Sequence, residues 1–212
     1  WVHSDAVQAL GKIPIDFERL GVHALTVSAH KLRGPKGAGA LVLDKRIELK
    51  PLLHGGGHEA GMRSGTENVP AIVGFGAACE LAIDRLGAYV AHTARLRDLL
   101  DARLVELGAR VFGRAAPRIA NTTYFALDGI DGETLVIELD RSGYGVASGS
   151  ACSSKSTEPS ATLLAMGVAP EVARGSVRVS LGPDNDELQI REFAGAVAAV
   201  AGRLRRLTAM AV

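Results

Sequence analysis

Ala24-Leu25-Thr26-Val27-Ser28-Ala29-His30-Lys31, followed by Gly34-Pro35-Lys36-Gly37, is the segment from which the architecture follows. The apolar run from Ala24 to Ala29 predicts a buried strand that delivers an amine, Lys31, just past its end. Upstream, Trp1 to Ser4 is short and apolar enough for another strand, and Ile15 to Leu20 predicts a brief helical turn ended by Gly21. Together they form a strand, crossover, strand unit. In a parallel unit of this kind Asp5 and Lys31 both emerge at the carboxyl edge of the sheet, where open α/β sheets bind ligands. Downstream, Ala38 to Leu43 reads as a third strand beside its predecessor, and a Gly-rich loop runs from His54 to Thr66.

Asn68 with Pro70 two residues on signals a helix start. The apolar spacing from Ile72 through Leu107 predicts one long helix, or two broken near Gly87, and the domain boundary is placed there: 1–87 for the first domain and 88–212 for the second. Beyond it, Ile119 to Leu127 alternates as a strand. Glu133 to Arg141 is helical with Gly143 as its stop, and Tyr144 to Ser148 is a short strand. Ser160 caps a helix that ends at Gly167, and Ser176 to Leu181 is a strand. In the last helix Ile190, Phe193, Val197, Val200, Leu204 and Leu207 recur at helical spacing, with Asp184 and Glu187 placed as a capping box. The fold class is therefore α/β, the remnant of a mainly parallel large-domain sheet followed by a compact C-terminal α+β lobe.

Composition narrows the function. The 212 residues carry 24 Lys and Arg against 23 Asp and Glu, and 47% are hydrophobic, which excludes disorder or a coiled coil for the whole chain. Balanced charge and few aromatics leave no electrostatic footprint for nucleic acid. The uncharged stretches fall well short of the roughly 18 residues of a membrane span. Two cysteines are too few for a disulfide scaffold, so a reducing cytoplasm is expected. A chain that begins at Trp1 rather than Met is expected to be a fragment or to lack upstream residues.

An acid and an amine converging at a sheet edge suit pyridoxal phosphate. The Lys forms a Schiff base, and the carboxylate keeps the pyridine nitrogen protonated so that the ring draws electrons. Spacing alone is weak, since any surface Asp and Lys can fall this way. Ser28 and His30 add a hydroxyl and an imidazole for a phosphate beside Lys31. Thr66 and Asn68 stand at a helix start, itself an anion-favouring terminus. Cys152, in Ser148-Gly149-Ser150-Ala151-Cys152-Ser153-Ser154, lies in a small, polar loop where a thiol is either a nucleophile or a surface bystander. Cys79, between apolar neighbours, is structural. Arg178 alternates with Val177 and Val179, so it points away from the apolar face, either to grip a carboxylate or simply to meet solvent.

These residues together resemble the cysteine desulfurases, a class-V aminotransferase group among the fold-type-I pyridoxal-phosphate enzymes. The matching blocks are Asp5-Ala6-Val7-Gln8 with Gly11-Lys12, Ser28-Ala29-His30-Lys31 with Gly34-Pro35-Lys36-Gly37, and His54-Gly55-Gly56-Gly57-His58-Glu59 with Arg63-Ser64-Gly65-Thr66. Ser148-Gly149-Ser150-Ala151-Cys152, Glu158-Pro159-Ser160 and Val177-Arg178-Val179-Ser180-Leu181-Gly182 continue them in family order. The Cys block is similar to that of the housekeeping and nitrogen-fixation branch. The resemblance implies that Lys31 carries the cofactor, Asp5 pairs with its ring nitrogen, Gln8 bonds the ring hydroxyl, and Ser28 and His30 hold the phosphate. It also implies that Thr66 reaches the phosphate across a homodimer interface. Arg178 would bind the carboxylate of L-cysteine, and Cys152 would take its sulfur as a persulfide, releasing alanine.

The resemblance further implies sulfur acceptors, namely an iron-sulfur scaffold protein or a tRNA-thiolation enzyme, and no direct nucleic-acid or membrane partner. No resident metal is expected, Cys152 being at most a transient iron-sulfur ligand. The family chain is longer. Its upstream half supplies a His stacked on the ring, an Asn near the ring hydroxyl and a further phosphate-binding turn, none matched in this sequence; His3 does not correspond to that His. Two other functions compete. A hydrolase could use His54-Gly55-Gly56-Gly57 as an oxyanion loop, but no Gly-x-Ser-x-Gly elbow exists. A catalytically inactive fragment could serve only as a dimerisation or interaction module.

Overall fold

The backbone hydrogen bonds of the N-terminal region organise around one strand. In a computed structural model that describes residues 1–149 and 158–210, β1 (His3–Asp5) leads to a one-turn helix, α1 (Phe17–Leu20), and then to β2 (Ala24–Ser28). Asp16 starts α1 by accepting from the backbone N–H groups of Glu18 and Arg19, and Gly21 ends it in the left-handed region. β1 and β2 pair in parallel, from His3 with Ala24 to Asp5 with Thr26. The first strand is thus shifted toward Asp5 relative to the sequence expectation. β3 (Gly39–Leu43) pairs antiparallel with β2 on its other side, giving the order β1-β2-β3.

The expectation that β2 is buried needs correction: only Leu25 is, while Thr26, Val27 and Ser28 are half-buried. The sheet has three strands among the described residues, and α2 (Val69–Asp84) packs mainly on the turn after β2 rather than across the strands. That packing is close. A Cβ at Gly74 on α2 would lie 2.8 Å from the Pro35 ring. Asn68 caps α2, its side chain accepting from the backbone N–H of Ala71. The helical run is two helices with the break at Arg85, close to Gly87, which lies in the first turn of α3 (Leu86–Glu106). The Gly-rich loop also contains a single 3-10 turn, Glu59–Gly61.

The chain divides into two compact units, Trp1–Val90 and Ala91–Val212. The second is built on a four-stranded antiparallel sheet. After α3 come β4 (Arg110–Val111), β5 (Thr122–Ala126), α4 (Gly132–Arg141) and β6 (Ala147–Ser148). Then follow α5 (Ala161–Ala165), α6 (Pro170–Arg174), β7 (Ser176–Ser180) and α7 (Glu187–Met210), and the sheet order is β4-β5-β7-β6. β4 and α6 were not expected from the sequence. Each is too short for periodicity to register.

Phe125, Val177 and Val179 on the sheet pack against Leu96, Leu100 and Leu104 of α3, Leu135 and Leu139 of α4, and the apolar face of α7. The capping box of α7 is Asp186 with Gln189, not Asp184 with Glu187. The Gln189 N–H donates to Asp186 Oδ1 at 2.8 Å and the Asp186 N–H to Gln189 Oε1 at 3.3 Å. The helix starts this late because Asn185 already closes the preceding turn, accepting from the Gly182 N–H at 2.8 Å. Among the described residues no helix is long and apolar enough to cross a membrane.

Candidate functional site

The carboxyl edge of the β1–β2 pair gathers most of the groups singled out in the sequence. Asp5 ends β1 opposite Thr26, and Ser28 ends β2 two residues further on. Ser28 Oγ lies 2.7 Å from His30 Nδ1, so hydroxyl and imidazole form one polar unit at the strand end. A 3-10 turn, Ala29–Leu32, then carries Lys31. Ala29 is fully buried and anchors the turn, whereas Lys31 and His30 are exposed. Arg33 closes the turn in the left-handed region, φ 65°, its N–H donating to the Ala29 carbonyl. Asp5 Oδ1 accepts from the Val7 N–H at 2.9 Å, which orients the carboxylate. Gln8 Oε1 accepts from Lys12 Nζ at 2.6 Å.

The other candidates lie elsewhere in the chain. Thr66 is exposed, two residues before the Asn68 cap. Arg178 is exposed on β7 between the buried Val177 and Val179, as the alternation implied, and pairs across the sheet with Tyr124 and Ala147. Cys152 lies outside the described residues. Cys79 is half-buried, and burial pushes its thiol above the ordinary range.

Three further residues carry signals that sequence reasoning did not weigh. His58, in the Gly-rich loop, has a buried Nδ1 without a hydrogen-bond partner among the described residues. Tyr124 and Ser176 join through their hydroxyls at 2.8 Å. A tyrosine at a half-buried strand position was the one legible hint of that pair. A cleft of about 350 Å³ in the second unit, between Arg97, Asp101, Arg114 and Arg118, contains none of the candidates. Arg97 and Arg118 there already bind Asp98, Asp101 and backbone carbonyls.

The donor set at the sheet edge fits pyridoxal phosphate. It offers an exposed primary amine for the aldehyde, a carboxylate for a pyridinium N–H, and a hydroxyl–imidazole pair for the phosphate.

The aminotransferase class-V family model matches residues 1–193. The chain belongs to the class-V aminotransferases. Among curated class-V relatives, a cysteine desulfurase of Rhodobacter capsulatus is 42% identical over 204 residues, covering 96% of this chain and 53% of the relative. Cysteine desulfurase IscS of Methanosarcina thermophila is 40% identical over 209 residues, 98% of this chain and 52% of the relative. A solved structure described as a NifS-like protein superposes with a TM-score of 0.86 at 37% identity, over 94% of this chain and 52% of that one. The chain thus spans about half the length of the relatives it matches. Its α/β fold is a partial class-V version of the fold-type-I pyridoxal-phosphate architecture.

Proposed function

We propose that this chain supplies the lysine-bearing sheet edge and the C-terminal domain of a pyridoxal-phosphate-dependent cysteine desulfurase. Such an enzyme converts L-cysteine to L-alanine and hands the sulfur to acceptors for iron-sulfur cluster assembly or tRNA thiolation. The observation that carries the reading is the convergence of Asp5, Ser28, His30 and Lys31 at one edge of two parallel strands.

Bound pyridoxal phosphate would supply an electron sink for the electrons left at Cα of an amino acid. Asp5 holds the ring nitrogen protonated, and Ser28 and His30 position the phosphate, with Thr66 contributed across a homodimer interface. Gln8, released from Lys12, bonds the ring hydroxyl. Lys31 Nζ moves the proton at Cα. Arg178 grips the substrate carboxylate with two parallel hydrogen bonds. The Cys152 thiolate attacks the substrate sulfur. An S–S bond forms, the C–S bond breaks, Cβ gains a proton, and alanine leaves a persulfide on Cys152. The setting is a cytoplasmic homodimer.

A second reading, an inactive association module, draws on the apolar side chains exposed on the first unit, among them Val73 at 66% and Ile83 at 67%. One experiment separates the two. The protein is incubated with pyridoxal phosphate, reduced with borohydride and digested. A phosphopyridoxyl group on the Lys31 peptide supports the desulfurase reading, and its absence from every lysine leaves only the association module.

A further inference from the structure

The cleft of about 350 Å³ in the second unit brings together three guanidinium groups, Arg97 from α3 and Arg114 and Arg118 from the loop between β4 and β5. No Asp or Glu occurs from Leu107 to Leu127, so this loop carries positive charge alone. Two of the groups are fixed in place by the protein. Arg97 donates to Asp98 Oδ1 from Nε at 3.1 Å and from Nη2 at 2.8 Å, and its Nη1 donates to the Ile119 carbonyl at 3.3 Å. Arg118 donates to the Thr122 carbonyl at 3.4 Å and to Asp101 Oδ2. A guanidinium has five N–H donors, so Arg97 keeps two and Arg118 keeps three beyond these bonds. Their side chains are only 14% and 17% exposed, where a charged donor without an acceptor is costly.

Arg114 stands differently. It sits in the turn closed by the Ala116 N–H on the Gly113 carbonyl at 3.1 Å, is exposed, and makes no hydrogen bond or ion pair among the described residues. The cleft's acids do not balance it. Asp101 has one oxygen on Thr123 and the other on Arg118, and Asp98 is taken by Arg97. One positive charge is left over, with donors arriving from three points in the chain. A planar carboxylate is filled by a single guanidinium fork, whereas a phosphate presents terminal oxygens in three directions and can accept from all three groups.

We propose that Arg97, Arg114 and Arg118 form a binding site for a phosphate group, either the free ion or a small phosphate monoester. Arg97 and Arg118 supply a prearranged floor, and Arg114 closes on the phosphate as its counter-charge. All three residues belong to the second unit, so the site stands whether or not Lys31 carries a cofactor.

The test follows the Arg97 Nε–H signal in ¹⁵N–¹H spectra of the whole protein, assigned through Arg97→Lys, during titration with inorganic phosphate at fixed pH and ionic strength. A saturable shift is expected. Arg114→Ala, at an exposed turn, should weaken binding about tenfold or more. Asp98→Asn removes a competing negative charge and should tighten it about two- to fivefold, a gain that misfolding cannot produce. Acetate should bind at least tenfold more weakly than phosphate. Glycerol phosphate separates the sources: tighter binding than the free ion identifies a small organic phosphate, weaker binding identifies the ion, and both uphold the site. The proposal is overturned if the shift grows linearly with phosphate, if Arg114→Ala leaves the dissociation constant unchanged, or if acetate binds as tightly. Phosphate held only by Ser28 and His30 would leave the Arg97 signal unmoved, so failure here is distinct from failure of the desulfurase reading.

Discussion

Asp101 and Thr123 meet where α3 crosses β5, the Thr123 hydroxyl donating to Asp101 Oδ1 at 2.7 Å. The other carboxylate oxygen accepts from the Arg118 guanidinium. Asp101 is 1% exposed, so this is a buried charge held only because both of its oxygens are engaged. Truncation by Asp101→Ala would leave the Arg118 guanidinium, itself largely buried, without its counter-charge. The expected cost is about 3–5 kcal/mol, read from the shift of a urea unfolding curve. A loss below about 1 kcal/mol would show that water replaces the carboxylate.

Phe125 sits fully buried at the centre of the same sheet. Phe125→Ala should destabilise the second unit by about 3–5 kcal/mol, while Asn68→Ala, which removes only the cap of α2, should cost about 1 kcal/mol. Thermal unfolding of the two variants side by side checks the ranking.

At the sheet edge, Lys31→Ala should abolish the borohydride-stable adduct altogether. Ser28→Ala removes a hydroxyl that a phosphate would use and should weaken cofactor affinity about tenfold without abolishing the adduct. Titration of the absorbance change against pyridoxal phosphate gives both results. Equal affinity in Ser28→Ala would place the phosphate elsewhere.

Substitution of Cys152 by Ser should eliminate sulfide and persulfide formation from L-cysteine and leave cofactor absorbance intact. Sulfide release at an unchanged rate would remove this thiol from the reaction. Cys79 differs in its pH dependence. Burial raises its pKa, so at a given pH less of it is thiolate than of a free cysteine. Its alkylation should therefore rise with pH later than that of a free cysteine, and a rise at or below the ordinary thiol pKa would contradict the burial effect.

Much of this arrangement is legible in the chain itself, because it rests on short-range chemistry. Asp16, Asn68 and Ser160 announce helix starts through side chains that accept nearby N–H groups, and Gly21 announces an end. The alternation around Arg178 places it outward. The lysine, the acid and the hydroxyl–imidazole pair could be assigned to one edge because parallel pairing leaves no other side for them. What escaped depends on tertiary context. The α7 cap moved because Asn185 had closed a turn two residues before the expected capping box was complete. The hydroxyls of Tyr124 and Ser176 meet across 52 positions of chain, and no local pattern reports such a meeting. The half-exposed state of β2 reflects how little packs over its sheet, which an apolar run cannot disclose.

The first unit buries few large apolar side chains, Leu25 and Phe75 foremost, whereas both apolar clusters lie in the second. In deuterated solvent the amides of β1, β2 and β3 should therefore exchange by local opening, with rates that barely respond to small amounts of denaturant. Those of β5 and β7 should exchange only through cooperative unfolding, and so slow down or speed up together with the stability of that unit. The strand end that carries Lys31 is in that sense the soft side of the molecule, and whatever binds there gains leverage over its rigidity.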